Sequence, residues 1–111
     1  MRVFHIISQQ DAAMFESQGS YAPPSLGKEG FIHLSYAEQV CRVANFLYKG
    51  RDDLLLFEFS PIDLPNLVAE TNPGGSEAFP HHYGELEWQN VTASYPLPCN
   101  PDGNFTLPEL D

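Results

Sequence analysis

Positive charge is what this sequence has least of. Its 111 residues include 5 lysines and arginines against 15 aspartates and glutamates, a formal net charge of −10. The cations Arg2, Lys28, Arg42, Lys49 and Arg51 form no run. Nucleic acids and anionic membrane surfaces are recognised first through a Lys/Arg field, so neither is an expected partner. A single bound nucleotide is another matter, because backbone amides and one or two polar groups can hold its phosphates. Cysteine is scarce too. Cys41 and Cys99 lie far apart with no CxxC spacing and read as free thiols of a reducing, cytoplasmic protein. No apolar run approaches the ~20 residues of a membrane-spanning helix. Residues 1–8 are too short for a signal peptide and read as a first strand. GxGxxG, P-loop, HExxH and G-x-S-x-G patterns are all missing. His5, His33, His81 and His82 come with no paired cysteines, and adjacent His81 and His82 cannot easily face one ion, so no metal is expected.

What is present is enough for one domain with a real core: 42% of residues are apolar and 13% aromatic. Residues 2–7 are β-branched and aromatic and predict a strand. Ser8 is placed to cap a short helix over 9–18, with Gly19 as its stop. Residues 20–29, with Pro23, Pro24 and Gly27, read as a loop. A short strand follows over 30–34. Ser35 and Glu38 form an S-x-x-E box opening a helix to about Lys49, on which Val40, Val43, Ala44 and Leu47 make a core-facing stripe. Residues 54–59 are almost wholly apolar, as in a central strand covered on both faces. Residues 67–70 make a weaker strand, 71–80 a loop, and 90–95 a last strand. Residues 1–95 form a single α+β domain, with strands clustered late and two main helices. Residues 96–111 are an acidic, Pro-rich C-terminal tail, expected to dock loosely.

Two places depart from what a core needs. Strand alternation puts Phe31, His33 and Ser35 on one face and Ile32 and Leu34 on the other, so the apolar pair seeks the core and His33 faces a cleft or a covering layer. The segment 74–84 joins Gly74 and Gly75 to Phe79, Pro80, His81, His82, Tyr83 and Gly84. Phe79 reads as an anchor, and the His–His–Tyr set as one polar wall of a binding site. Glu70, ending a strand before this segment, sits at the rim of whatever it encloses. The same residues suit a structural reading, a hydrogen-bond network that fixes the sheet. Oligomeric state is not legible.

Gly30-Phe-Ile-His-Leu-Ser35, Gln39, Gly50-x-x-Asp53-Leu-Leu-Leu56, Glu70, Gly74-Gly75 and Phe79-Pro-His-x-Tyr-Gly84 together resemble the bacterial and plant family called domain of unknown function 952. Gly19-x-Tyr21 is similar to its opening. The resemblance spans about residues 2–95; His82 stands where that family more usually carries Leu. No activity is established for the family, which in turn resembles the ADP-ribosyltransferase-like fold, a bent or split mixed β-sheet whose cleft holds NAD or ADP-ribose. The resemblance implies a nucleotide of that type as ligand, with ADP-ribosyl transfer or glycosidic cleavage as the chemistry. It implies His33, Glu70, His81 and Tyr83 as catalytic residues, and Ser35, Gly74, Gly75 and Tyr21 as cofactor-binding residues. The alternative is a non-catalytic protein-interaction module in which the His/Tyr cluster is structural.

Overall fold

In the computed structural model, residues 2–111 are described. The elements run β1 (Val3–Ser8), α1 (Gln9–Gln18), β2 (Ser20–Tyr21), α2 (Pro24–Glu29), β3 (Ile32–His33), α3 (Ala37–Leu47), β4 (Leu54–Phe59), β5 (Leu67–Thr71), β6 (Ala78–His82), β7 (Leu86–Glu87) and β8 (Val91–Pro96). The strands form three separate ladders, β1-β4-β8, β2-β7 and β3-β6-β5, so the sheet is split. All of these pairings are antiparallel, so no ladder mixes strand directions.

The apolar run of β4 lies in the middle of its ladder and is covered on both faces. On one side Val3, Ile7, Phe57 and Phe59 pack with Phe15, Ile32 and Leu86. On the other, Phe4, Ile6, Leu54 and Leu56 pack with Val40, Ala44, Tyr95 and Leu97. The start of the chain follows its local signals closely. Ser8 accepts a hydrogen bond from the Asp11 amide at 3.1 Å, and Gly19, at φ 82°, ends α1 by donating to the Phe15 carbonyl.

Segment 32–35 joins two of the ladders. Ile32 and His33 pair with His82 and His81 of β6. Two residues on, Ser35 exchanges both backbone hydrogen bonds with Phe4 of β1, each at 2.8 Å. That pairing removes Ser35 from the capping role expected of it. Helix α3 starts later, where the Tyr36 amide donates to Gln39 Oε1 at 3.0 Å, and it ends at Leu47 rather than near Lys49. Buried Gln39 also donates to the Ala78 carbonyl at 2.8 Å and ties α3 to the start of β6. Val40 and Ala44 reach the core as expected, whereas Leu47 is 58% exposed.

Three further expectations are corrected. The loop expected over 20–29 contains β2 and α2, because Pro24 lies in the first turn, where its missing N–H is one no helix uses, and Gly30 at φ 85° closes it. The loop expected over 71–80 is a turn at 72–75 followed by β6. The Gly75 amide donates to the Asn72 carbonyl at 2.9 Å, with Pro73 second and Gly74 third at φ 78°, the type II arrangement. Buried Pro80 fits inside β6 because its carbonyl accepts from Leu34 at 2.9 Å, at the place where pairing with β3 ends and a missing N–H costs least. Pro80, not Phe79, anchors this strand. The C-terminal segment is firmly packed. Leu97 and Phe105 are buried in the second core, the Phe105 amide donates to Asn45 Oδ1 at 2.7 Å, and the Gly50 amide donates to the Gly103 carbonyl at 2.8 Å. Leu97 and Phe105 share that core with Val40 and Ala44 of α3 and with Leu54 and Leu56 of β4.

Candidate functional site

Register brings one polar group together. In β3-β6-β5, His33 lies opposite His81, Val68 opposite His81, and Glu70 opposite Phe79. By alternation His33, His81, Phe79, Val68 and Glu70 therefore share one face, while Ile32, Pro80 and His82 turn to the other. The shared face holds a compact cluster. His81 Nδ1–H donates to Glu70 Oε1 at 3.0 Å, and the Tyr83 hydroxyl donates to the same oxygen at 2.6 Å. Phe31 lies flat on the His81 ring, with centroids 4.0 Å apart, and Tyr83 is 5.4 Å from Phe31. His81 is only 2% exposed.

The two donors hold the Glu70 carboxyl below the usual range, the Tyr83 hydroxyl contributing most and His81 next. Glu70 in return pushes the Tyr83 hydroxyl up. Both bonds end on Oε1, so Oε2 keeps no protein partner among the described residues. The cluster thus presents an ionised, fixed carboxylate with one free oxygen on an exposed strand.

His33 stands apart in character. Its side chain is 47% exposed, its Nε2–H donates to Glu29 Oε1 at 3.0 Å, and its ring meets His81 edge-on at 5.1 Å. The carboxylate holds the Nε2–H end of the ring, and Nδ1 has no hydrogen-bond partner among the described residues. His33 lies on the wall of a groove of about 720 Å³ that follows the open edge of β1. Tyr21, Ser35, Arg42, Phe46 and Phe79 also line it. Phe4 uses its outward N–H and C=O on Ser35, and α3 then leads the chain away. By antiparallel alternation the next outward pair, on Ile6, faces the groove with no strand across it.

The expected site therefore divides. His33, Ser35 and Tyr21 line the groove; Glu70, His81 and Tyr83 form the cluster behind it, joined through the His33–His81 contact. Gly74 and Gly75 belong to the exposed 72–75 turn and do not line the groove. His82 is buried on the opposite face, where Nδ1–H donates to the Gly84 carbonyl at 3.0 Å. Four participants escape a reading of the sequence. Phe31 carries a signal, since it shares a face with His33, and so does His5, a polar residue inside an apolar strand. Glu29 pairs with His33 across a helix end, and Phe79 reads as core by its size alone; neither carries a local pattern.

His5 adds the last element. Its Nδ1–H donates to the His33 carbonyl at 2.9 Å, tying β1 to β3, and its ring leans on Tyr21 with centroids 5.5 Å apart. Burial lowers the His5 pKa to about 4 and raises that of Tyr21 to about 12.

Comparison with known proteins agrees with this architecture. The crystal structure of protein CC0527 from Caulobacter crescentus is similar over 96% of this chain and 95% of that one, with a TM-score of 0.86 and 30% identity. The solution NMR structure of CC0527 gives a TM-score of 0.80 at 30% identity, over 93% of this chain and 90% of that one. No curated protein is significantly similar. A family model described as "Protein of unknown function (DUF952)" matches residues 6–94, which include His33, Glu70, His81 and Tyr83. The chain belongs to the DUF952 family.

Proposed function

We propose that the chain binds a nucleotide of the NAD or ADP-ribose type in the groove along β1, with His33 as the residue that meets it. The position of His33 carries this reading: a half-exposed imidazole on the groove wall, oriented by Glu29, with Nδ1 unpartnered among the described residues. The groove volume of about 720 Å³ lies within the roughly 300–1,000 Å³ typical of small-molecule sites. Tyr21 and Phe79 offer flat surfaces to a base, and the outward backbone of Ile6 offers a donor and an acceptor. Arg42 brings positive charge to the wall, shared with Glu77 through bonds of 2.5 and 2.7 Å.

If ribosyl chemistry follows binding, the C1′–N bond breaks, the base leaves with the electron pair, and water or another nucleophile takes the ribosyl cation. A held ribose and a nearby carboxylate lower that barrier. Glu29 is the carboxylate bonded to His33, and Glu70 stands one side chain further back, behind His81. On this reading Glu70, His81 and Tyr83 position His33 and do not touch the ligand.

The 2% exposure of His81 favours a second reading for that cluster, a structural network in a non-catalytic module whose partners are proteins. Calorimetric titration of wild type and His33→Ala with ADP-ribose and NAD separates the two. The binding reading expects saturable heat with wild type, an affinity loss of about tenfold or more in His33→Ala, and unchanged circular dichroism. No heat with either ligand rejects it in favour of the second.

A further inference from the structure

The groove holds one group that the fold does not explain. His5 sits on β1 between Val3 and Ile7, which share its face and are both core residues. Nδ1 has a structural task, because a carbonyl can only accept and the bond to His33 therefore fixes the proton on Nδ1. Nε2 is then a lone-pair acceptor. It is buried and has no hydrogen-bond partner. Buried acceptors without partners are rare because desolvation is not repaid. Phe or Tyr would fill this position on a strand without that cost. His5 is among the residues lining the same groove as His33, and so is Tyr21, whose ring leans on it.

We propose that His5 Nε2 is a specificity contact, accepting a hydrogen bond from an uncharged O–H or N–H donor of the groove's ligand. The inference deepens the nucleotide reading and rests on it for the location of the ligand. A lone-pair nitrogen with the Asp11 carboxylate on the same groove wall repels anions, so the base or sugar end of the ligand lies here and any phosphate lies elsewhere. The nitrogen is buried, so the contact requires a neighbouring group to move, and the Tyr21 ring leans on His5. The low His5 pKa keeps the imidazole neutral, in its acceptor form, across the physiological range.

The test is a ¹⁵N imidazole NMR titration of the wild-type protein with adenosine, D-ribose and inorganic pyrophosphate, and with phenol and indole as donors of no nucleotide character. Free protein is expected to show His5 protonated on Nδ1; protonation on Nε2 overturns the proposal at once. Adenosine or ribose is expected to shift the His5 Nε2 resonance while pyrophosphate leaves it unmoved, and His5→Phe is expected to bind adenosine about tenfold more weakly. A response to phenol or indole alone keeps the His5 contact and removes the nucleotide reading. Adenosine shifts at His33 with His5 unmoved keep the nucleotide reading and overturn the His5 contact. Silence of His5 Nε2 toward every donor overturns the contact as well.

Discussion

Phe31 and His81 stack with ring planes 18° apart and centroids 4.0 Å apart. This contact joins the segment before β3 to the middle strand of its ladder, and it roofs the buried side of the Glu70 cluster. Glu70, itself held by the Tyr83 hydroxyl, then bonds the imidazole at Nδ1. His33, which touches both Phe31 and His81, is thereby fixed at the groove wall.

Removing the roof should loosen the cluster before it unfolds the domain. Phe31→Ala is expected to cost about 1–3 kcal/mol, since a stacked, partly buried aromatic contributes its burial and about 0.5–1.5 kcal/mol of pair energy. Urea unfolding measures the loss, and faster solvent exchange of the His81 imidazole proton reports the opening. A variant with wild-type stability and exchange would show that the stack fixes nothing.

Stability should fall with acid in two separate windows. Folding lowers the His5 pKa from 6.5 to about 4. Between those values the unfolded chain binds the extra proton, so this contribution is present above pH ~6.5 and is lost as pH falls to ~4. It is on the order of 3 kcal/mol, and His5→Phe should flatten this window. Folding lowers the Glu77 pKa from 4.5 to about 2, through Arg42 first and Gln39 second. That contribution is present above the unfolded value and disappears as pH falls from ~4.5 toward ~2. Glu77→Gln should shrink the lower window, which Glu70 and Asp53 share, and leave the upper one intact. Urea midpoints between pH 2.5 and 7.5 separate the two.

The Tyr83 hydroxyl is the stronger of the two donors to Glu70, so Tyr83→Phe should raise the Glu70 pKa toward its ordinary value. Carboxyl ¹³C titration reads this directly. Because Tyr83 is more than a third exposed, global stability should change little. An unmoved Glu70 titration would mean that the bond is not maintained in solution.

The C-terminal segment should behave as core. Leu97→Ala is expected to cost about 2–4 kcal/mol and Phe105→Ala about 3–5 kcal/mol. Gly103→Ala should also destabilise: its φ is +85°, and a Cβ there would meet the Gly50 amide nitrogen at 3.3 Å and Lys49 Cγ at 3.2 Å. Guanidinium unfolding of the three variants checks this. Wild-type midpoints in all three would return residues 97–111 to the status of a loose tail.

Local signals carried much of this fold. Ser8, Gly19 and the apolar 54–59 run act through their own backbone neighbourhood, and each lies where its pattern places it. Ile32 and Leu34 likewise face the core while His33 does not, because alternation needs no knowledge of partners. The misses share one cause, a distant strand or core that takes over a residue. Ser35 is drawn into backbone pairing with Phe4, and the cap of α3 falls one residue later, at Tyr36. Pro80 enters a strand because the β3 pairing ends beside it. The tail reads as loose in composition, yet Leu97 and Phe105 find the far face of β4 and α3. The candidate residues could be named from the sequence, but their arrangement could not. Nothing local says that Gly74 and Gly75 make a turn away from the groove, or that Glu29 reaches His33.

The proposed nucleotide site is the groove along β1, with His33 in its wall. Amide chemical-shift mapping with ADP-ribose on wild type and His33→Ala tests it most directly. Binding there should give shifts confined to the surroundings of His5, Tyr21, His33, Phe46 and Phe79, with little change along β8, and these should be lost in the variant. No shifts at millimolar ADP-ribose, or shifts that survive unchanged in His33→Ala, would contradict it.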